Sequence, residues 1–486
     1  MFAYPPLFYG FRVFFLEKFI HFCRGRNVGE KRKNKKSDGF IKGAIIIALG
    51  GFVAKLLGAL YRIPLTNFIG GHGIGLYQMI YPVYCILLTV SATGIPSSLA
   101  KLTAERIEKG ENSKPLFFVA MKLFLWIGGL GTLLMCLFSP LLAKLQGATE
   151  VRAGYVTLAP SVFLVSAISV FRGWFQGKNR MTPTAISEIV EQAVKVALGL
   201  GFAYFNRDNL ARAVTLLLLA VSISELVALL VLCVFYRKAD KNDGEKLGEK
   251  PRAKHILALS IPVTFSAILF PLSALIDSVL SLRLMQGYTV DSVALYGLFS
   301  GGAVTVINLP VSVCYGIAVA CVPAIAKAKS ALAEWEKLPE SEQKTRAKPN
   351  PKKRLFFALG ITVLTALPCV FGLYFFAGTA CKIIFRNLKA EELSTLIALV
   401  KAFSISALTL SCVQTLSACL TAQGKPQLSA LSMLIGVVVK TGIYAVWMRN
   451  PNVGIFGLVY ATNIGYTVAF LLDLWYNIRC IKTKKR

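Results

Sequence analysis

Lys55 and Arg62 stand seven residues apart in an apolar run of this 486-residue chain. Seven residues are two helical turns, so on a helix both side chains project from one face, about 10 Å apart along the axis. A cation inside a membrane costs about 2.5–3.5 kcal/mol on insertion scales, and it normally faces a watery cavity or a counter-ion. The functional reading is a cationic stripe that holds an anionic head group. The structural alternative is snorkelling, which suits Arg62 near the end of the run better than Lys55 near its middle. Farther on, Glu188, Glu191 and Lys195 share a helical face, and Glu191 with Lys195 forms an i,i+4 pair that reads as a self-neutralised structural unit. Lys440 has no acid near it in sequence, so its partner must come from another helix, from water or from a bound anion. Glu225 and Asp277 complete the set. Either would suit a coupling proton or sodium ion, and either would equally neutralise a lysine.

The elements that carry these residues are membrane spans. The chain is 55% hydrophobic and 16% charged, with a mean hydropathy of +0.61, where an average soluble domain is about 25% charged. Residues 63–100, 292–326, 355–381 and 450–472 hold no Asp, Glu, Lys or Arg, and each exceeds the roughly 20 residues a bilayer-crossing helix needs. This excludes a soluble enzyme. It also excludes a nucleic-acid binder, whose cations would sit on a folded polar surface. Twelve spans are expected, near 43–66, 76–100, 115–143, 153–172, 183–204, 212–236, 256–282, 292–326, 355–380, 394–422, 427–448 and 453–478. Lys and Arg number 54, against 24 acids. Five of them (Lys55, Arg62, Lys195, Lys401 and Lys440) lie within the spans, 40 fall on one alternating set of connections and 9 on the other, a bias that puts both termini in the cytoplasm. The net charge of +30 is then chiefly an orientation signal, aided by attraction to anionic membrane lipids.

The spans fall into two groups of six. Pro82 and Pro96 in the second span recur as Pro310 and Pro323 in the eighth. Gln176-Gly177-Lys178 ahead of Lys195 recurs as Gln423-Gly424-Lys425 ahead of Lys440. The expected fold is an all-α polytopic membrane protein with two six-helix lobes around a central cavity. Residues 1–42 form a basic cytoplasmic segment, 43–236 the first lobe, 237–255 a basic linker, 256–478 the second lobe and 479–486 a basic tail. No P-loop pattern, Cys/His metal cluster or acidic catalytic cluster appears in the sequence. A secondary transporter without a bound metal or organic cofactor is expected rather than an enzyme, with sodium or proton coupling left open.

Arg62-Ile63-Pro64-Leu65-Thr66-Asn67, Gly70-Gly71-His72-Gly73-Ile74-Gly75-Leu76-Tyr77-Gln78 and Gly94-Ile95-Pro96-Ser97-Ser98-Leu99-Ala100-Lys101 resemble a signature of the stage V sporulation protein B group. The run from Phe175 to Gln192, with Met181-Thr182-Pro183-Thr184, is similar to that group's fourth-to-fifth helix segment. The group belongs to the multidrug/oligosaccharidyl-lipid/polysaccharide flippase superfamily. The resemblance implies a multi-pass protein of the bacterial plasma membrane that flips a polyprenyl-linked saccharide for cell-wall or spore-cortex synthesis. It implies that Arg62 and Lys55 hold the substrate; Lys440, with no partner in its own helix, is expected to join them. Where relatives carry an acid at the start of the second helix, this chain has Tyr77 and Gln78, which join that set. Some relatives carry acids on the seventh and eleventh helices for sodium; Asp277 suits the first and Lys440 stands on the second. Cell-wall synthesis proteins are the protein partners implied. The alternatives are a cation-coupled drug exporter of the same superfamily and a non-transporting membrane scaffold for cell-wall synthesis.

Overall fold

A computed structural model describes residues 35–239, 251, 253–336, 338–345 and 348–481. Residues 1–34 of the expected N-terminal segment, 240–250 and 252 of the linker and 482–486 of the tail lie outside the described residues. In the described residues the regular structure is helical. The helices are α1 (Lys35–Leu88), α2 (Ile95–Glu108), α3 (Lys114–Leu145), α4 (Arg152–Gly177), α5 (Thr182–Phe205) and α6 (Leu210–Lys238). They continue as α7 (Ala253–Met285), α8 (Ser292–Gly297), α9 (Val304–Trp335), α10 (Glu340–Thr345), α11 (Pro351–Phe375) and α12 (Ala377–Ile384). The last are α13 (Ala390–Phe403), α14 (Ile405–Ala422), α15 (Pro426–Trp447) and α16 (Phe456–Ile481).

Helices stand at all twelve expected positions. Ten of them, among the described residues, are long and apolar enough to cross a membrane by length and composition. The first span falls largely outside the side chains described, and α5 carries three charged residues in its middle. Outward-facing apolar side chains such as Trp126 (74% exposed) and Leu364 (73%) give the bundle the surface a lipid environment requires.

Local sequence chemistry sets the helix ends. Proline stands in the first turn of α2, α3, α5, α11 and α15, where its missing N–H is not needed. Asn209, Asp291 and Asn350 cap α6, α8 and α11 by accepting backbone N–H bonds at 3.0, 2.8 and 3.1 Å. The first two spans meet inside α1 at Gly70, whose φ of 65° and ψ of −174° break the helix into two arms. Short π-helical segments interrupt the second and eighth spans at Thr89–Thr93 and Leu298–Ala303. The tenth span is broken between α13 and α14 at Ser404.

Packing partners in one half recur in the other. In the first half α3 packs on α4, α5 on α6, α4 on α6, α1 on α5 and α2 on α4. In the second, α11 packs on α14, α15 on α16, α14 on α16, α7 on α15 and α9 on α14. The turns after α4 and α14 close alike: Arg180 N–H donates to Phe175 O and Lys425 N–H to Leu420 O, both at 2.9 Å. Positive φ falls on Asn179 (55°) in one turn and Gly424 (75°) in the other. This register places Asn179 with Gly424, two residues off the Gln-Gly-Lys alignment, and it brings Lys195 and Lys440 into register.

Candidate functional site

A cavity of about 440 Å³ lies where the two halves meet. That is within the roughly 300–1,000 Å³ of small-molecule pockets. The first arm of α1 supplies Arg62 to its wall and the second arm Gln78 and Tyr81, while α7 and α15 supply Ser273, Asp277 and Lys440. Apolar and aromatic groups such as Phe270, Phe299 and Met433 line most of the rest.

Lys440 finds its partner on another helix. Its ammonium donates to Asp277 Oδ2 at 2.6 Å and to Ser273 Oγ at 2.8 Å, in a place where both charged side chains are nearly buried. Asp277 Oδ1 has no hydrogen-bond partner. Arg62 differs: among the described residues its guanidinium makes no ion pair, so its fork is available to a ligand. Gln78 turns its amide to the Ser300 carbonyl at 3.1 Å, a contact across the halves.

Other expected residues lie elsewhere. Tyr77 does not line the cavity; it is buried and stacks on Tyr81 with ring centroids 5.2 Å apart. It supports the wall. Lys55 is on α1, and its side chain lies outside the described residues. Glu225 sits behind the wall, 2% exposed, accepting from the Tyr84 hydroxyl at 2.5 Å, with Oε2 unpartnered.

The expected pair of Glu191 with Lys195 is corrected by the structure. Glu191 instead pairs with Arg172 of α4 at 2.9 Å, and the same guanidinium donates to Ser187 Oγ at 3.0 Å. A short planar bridge between helices outcompetes the loop that Lys195 would have to make along its own helix. Lys195 turns toward Tyr81, 5.8 Å from the ring centroid. Arg172→Met should therefore destabilise the first half by about 3 kcal/mol by stranding Glu191, while Lys195→Met leaves stability nearly unchanged. Thermal unfolding of the two purified variants checks the order; a larger loss for Lys195→Met would restore the intrahelical pair.

Beside Gly70 the halves close on each other. His72 Nδ1 lies 2.9 Å from Asp291, which caps α8, and Nε2 lies 3.9 Å from Glu150. The His72 hydrogen bond holds the Asp291 carboxyl below the usual carboxylate range. Asn67 donates to Ile384 O at 2.7 Å, and Gln146 reaches Ser278 Oγ at 3.5 Å. Only glycine fits the junction: a Cβ on Gly75 would strike the Val293 carbonyl, and one on Gly297 the Gly71 carbonyl. At the opposite end, a Cβ on Gly94 would stand 2.5 Å from the Ser260 carbonyl oxygen.

Comparison with known proteins fits this geometry. The sequence model described as polysaccharide biosynthesis protein matches residues 40–329. The chain belongs to that family. It is 29% identical over 447 residues to stage V sporulation protein B of Bacillus subtilis (strain 168), covering 89% of this chain and 82% of the relative. It is 24% identical over 466 residues to lipid II flippase MurJ of the same organism, covering 90% and 82%. Among solved structures, an inward-facing multidrug resistance MATE family transporter of the MOP superfamily superposes with a TM-score of 0.73 at 16% identity. That match covers 88% of this chain and 96% of the other. An inward closed structure of lipid II flippase MurJ gives 0.67 at 13% identity, covering 90% and 89%. The two superpositions establish that the chain shares the fold of that MATE family transporter and of MurJ.

Sequence reasoning missed Arg172, which the positive-inside count assigns to a loop. It also missed Asp473, a lone acid in the last span. The signal for Asp473 was present: an acid in an otherwise apolar helix needs an explanation.

Proposed function

We propose that this protein is a secondary transporter of the bacterial plasma membrane that flips a polyprenyl-linked saccharide by alternating access. The observation that carries this is the cavity between the halves, with the unpaired Arg62 on one wall and the Lys440–Asp277 pair on the other. Such a surface suits an anionic diphosphate flanked by a saccharide. Arg62 grips two phosphate oxygens, and Lys440 exchanges Asp277 for a third, so that binding loosens a contact between α7 and α15. Gln78, Ser273 and Asn308 are available to sugar hydroxyls. Two six-helix lobes, residues 43–236 and 256–478, would rock about the cavity, and the repeated packing scheme supports that division.

Both termini are cytoplasmic in this reading, which places the Gly70 closure at the outer face. Membrane lipids surround the exposed apolar belt, and cell-wall synthesis proteins are the expected protein partners. Asp277 is engaged with Lys440 in this conformation, whereas Glu225 is buried with one oxygen free. Glu225 is therefore the better placed of the two for a coupling proton. A cavity for cationic drugs would present unpaired carboxylates, and among the described residues that line this one the charge without an ion pair is the Arg62 guanidinium.

Depletion in the native bacterium tests this directly. A polyprenyl-linked saccharide should accumulate on the cytoplasmic side as the protein is lost. Unchanged precursor pools together with new sensitivity to cationic drugs would favour an exporter instead.

A further inference from the structure

Below the cavity, α15 and α16 meet along a polar seam. Lys440, Gly436, Ser432 and Ser429 form one stripe on α15, and Gly465, Ala469, Asp473 and Asn477 form one on α16. At the top the backbones touch: a Cβ on Gly436 would stand 2.6 Å from Gly465 O, and one on Gly465 would stand 2.8 Å from Gly436 O. About 6 Å farther along α15, at Ser432, the seam reaches the level of Asp473.

Asp473 is 0% exposed. Oδ2 lies 3.4 Å from Ser429 Oγ, and Oδ1 has no partner. Ser432 spends its proton on Leu428 O at 3.0 Å. Asn477 donates to Asp473 O and Leu416 O at 2.8 and 3.0 Å and accepts from Gln423 Nε2 at 2.7 Å. Lys329, the cation at the mouth of the seam, donates to Gln423 O at 2.7 Å and not to Asp473. Lys425 and Cys480 stand near Lys329 at that mouth, and the Lys440–Asp277 pair and Tyr466 stand at the other end. Among the described residues, no Lys, Arg or His makes an ion pair with Asp473.

A bare carboxylate so deeply buried costs more than neutralising it does. A metal cation would need several oxygens turned toward it, and here Ser429 Oγ turns its proton to Asp473 Oδ2 while Asn477 Oδ1 is taken by Gln423 Nε2. A proton needs only the carboxyl itself. The proton then sits on the unpartnered Oδ1, and Oδ2 remains a carbonyl oxygen that accepts from Ser429 Oγ. The first half offers a parallel: Glu225 on α6 is likewise buried with one oxygen unpartnered, at a similar depth in the last helix of its half.

We propose that Asp473 is a proton-binding site, holding a proton between α15 and α16 while the seam is closed and losing it when the seam opens to water. The binding stands on the seam geometry alone. Its consequence rests on the transport reading, because the seam carries Lys440 on the same stripe.

Infrared difference spectroscopy of the full-length protein in lipid, wild type minus Asp473→Asn at neutral pH, tests the site. The expected spectrum holds a protonated carboxylic acid C=O band that shifts in heavy water and converts to carboxylate bands as pH rises. The folded state holds the proton, so stability is present at lower pH and lost as pH rises; wild type should lose unfolding temperature there and Asp473→Asn should not. If Asp473→Asn does not fold, wild type labelled with 13C-aspartate gives the same titration without a substitution. A spectrum with only carboxylate bands at neutral pH overturns the proposal. So does an acid band abolished by sodium at fixed pH and ionic strength, which would assign a metal cation. These readings need no turnover, so a protein that flips nothing would still give them. The consequence for transport is read separately, as loss of pH dependence in Asp473→Asn vesicles.

Discussion

Lys440→Met should destabilise the protein by about 3–5 kcal/mol, because it leaves Asp277 buried beside the cavity without its cation. The two side chains are 7% and 14% exposed, so solvent does little to screen the loss. Removing both members, as Lys440→Met with Asp277→Leu, should recover most of that stability, since no charge is then stranded. It should not recover transport, because the cavity loses a cation that meets the anionic head. Thermal unfolding of the purified variants gives the first result and complementation of a depletion strain the second. Lys195→Met, with its cation over a tyrosine ring, should show neither defect to the same degree. A double variant as unstable as the single one would show that packing, not the stranded charge, carries the effect.

Arg62→Ala should behave in the opposite way. Arg62 has no ion-pair partner among the described residues, so its loss strands nothing and the protein should insert and fold normally. Transport should fall by roughly ten- to a hundredfold, the value of a charge-assisted hydrogen bond of about 1.5–3 kcal/mol. Arg62→Lys should restore only part, because an ammonium lacks the fork that grips two phosphate oxygens. Complementation at matched membrane levels reads this. Full activity of Arg62→Ala would remove the anion-binding role.

The helical architecture was legible because each span satisfies a length and hydropathy requirement that composition exposes. The partner of Lys440 was legible only by exclusion: nothing within its own helix could pair with it. That Asp277 supplies the pair depends on α7 packing against α15, which no local pattern reveals. The Glu191–Lys195 pairing failed because i,i+4 spacing makes two side chains neighbours without making them the best partners, and α4 brings Arg172 closer. Tyr77 and Gln78 are adjacent, so a helix turns them about 100° apart. Gln78 reaches the cavity and Tyr77 the core. Asp473 was overlooked because reasoning from cations searched for their counter-ions, and this acid has none.

Purified protein in sealed vesicles tests the central claim most directly. A polyprenyl-diphosphate saccharide carrying a fluorescent tag is placed in both leaflets, and the outer copies are quenched by a membrane-impermeant reagent. Vesicles holding the wild type should expose the inner copies to quenching many times faster than empty vesicles. Vesicles holding Arg62→Ala at equal protein should resemble empty ones. Equal rates for wild type and empty vesicles, with a neutral tagged lipid used to confirm that the vesicles are sealed, would contradict the assignment of this protein as a flippase of lipid-linked saccharide.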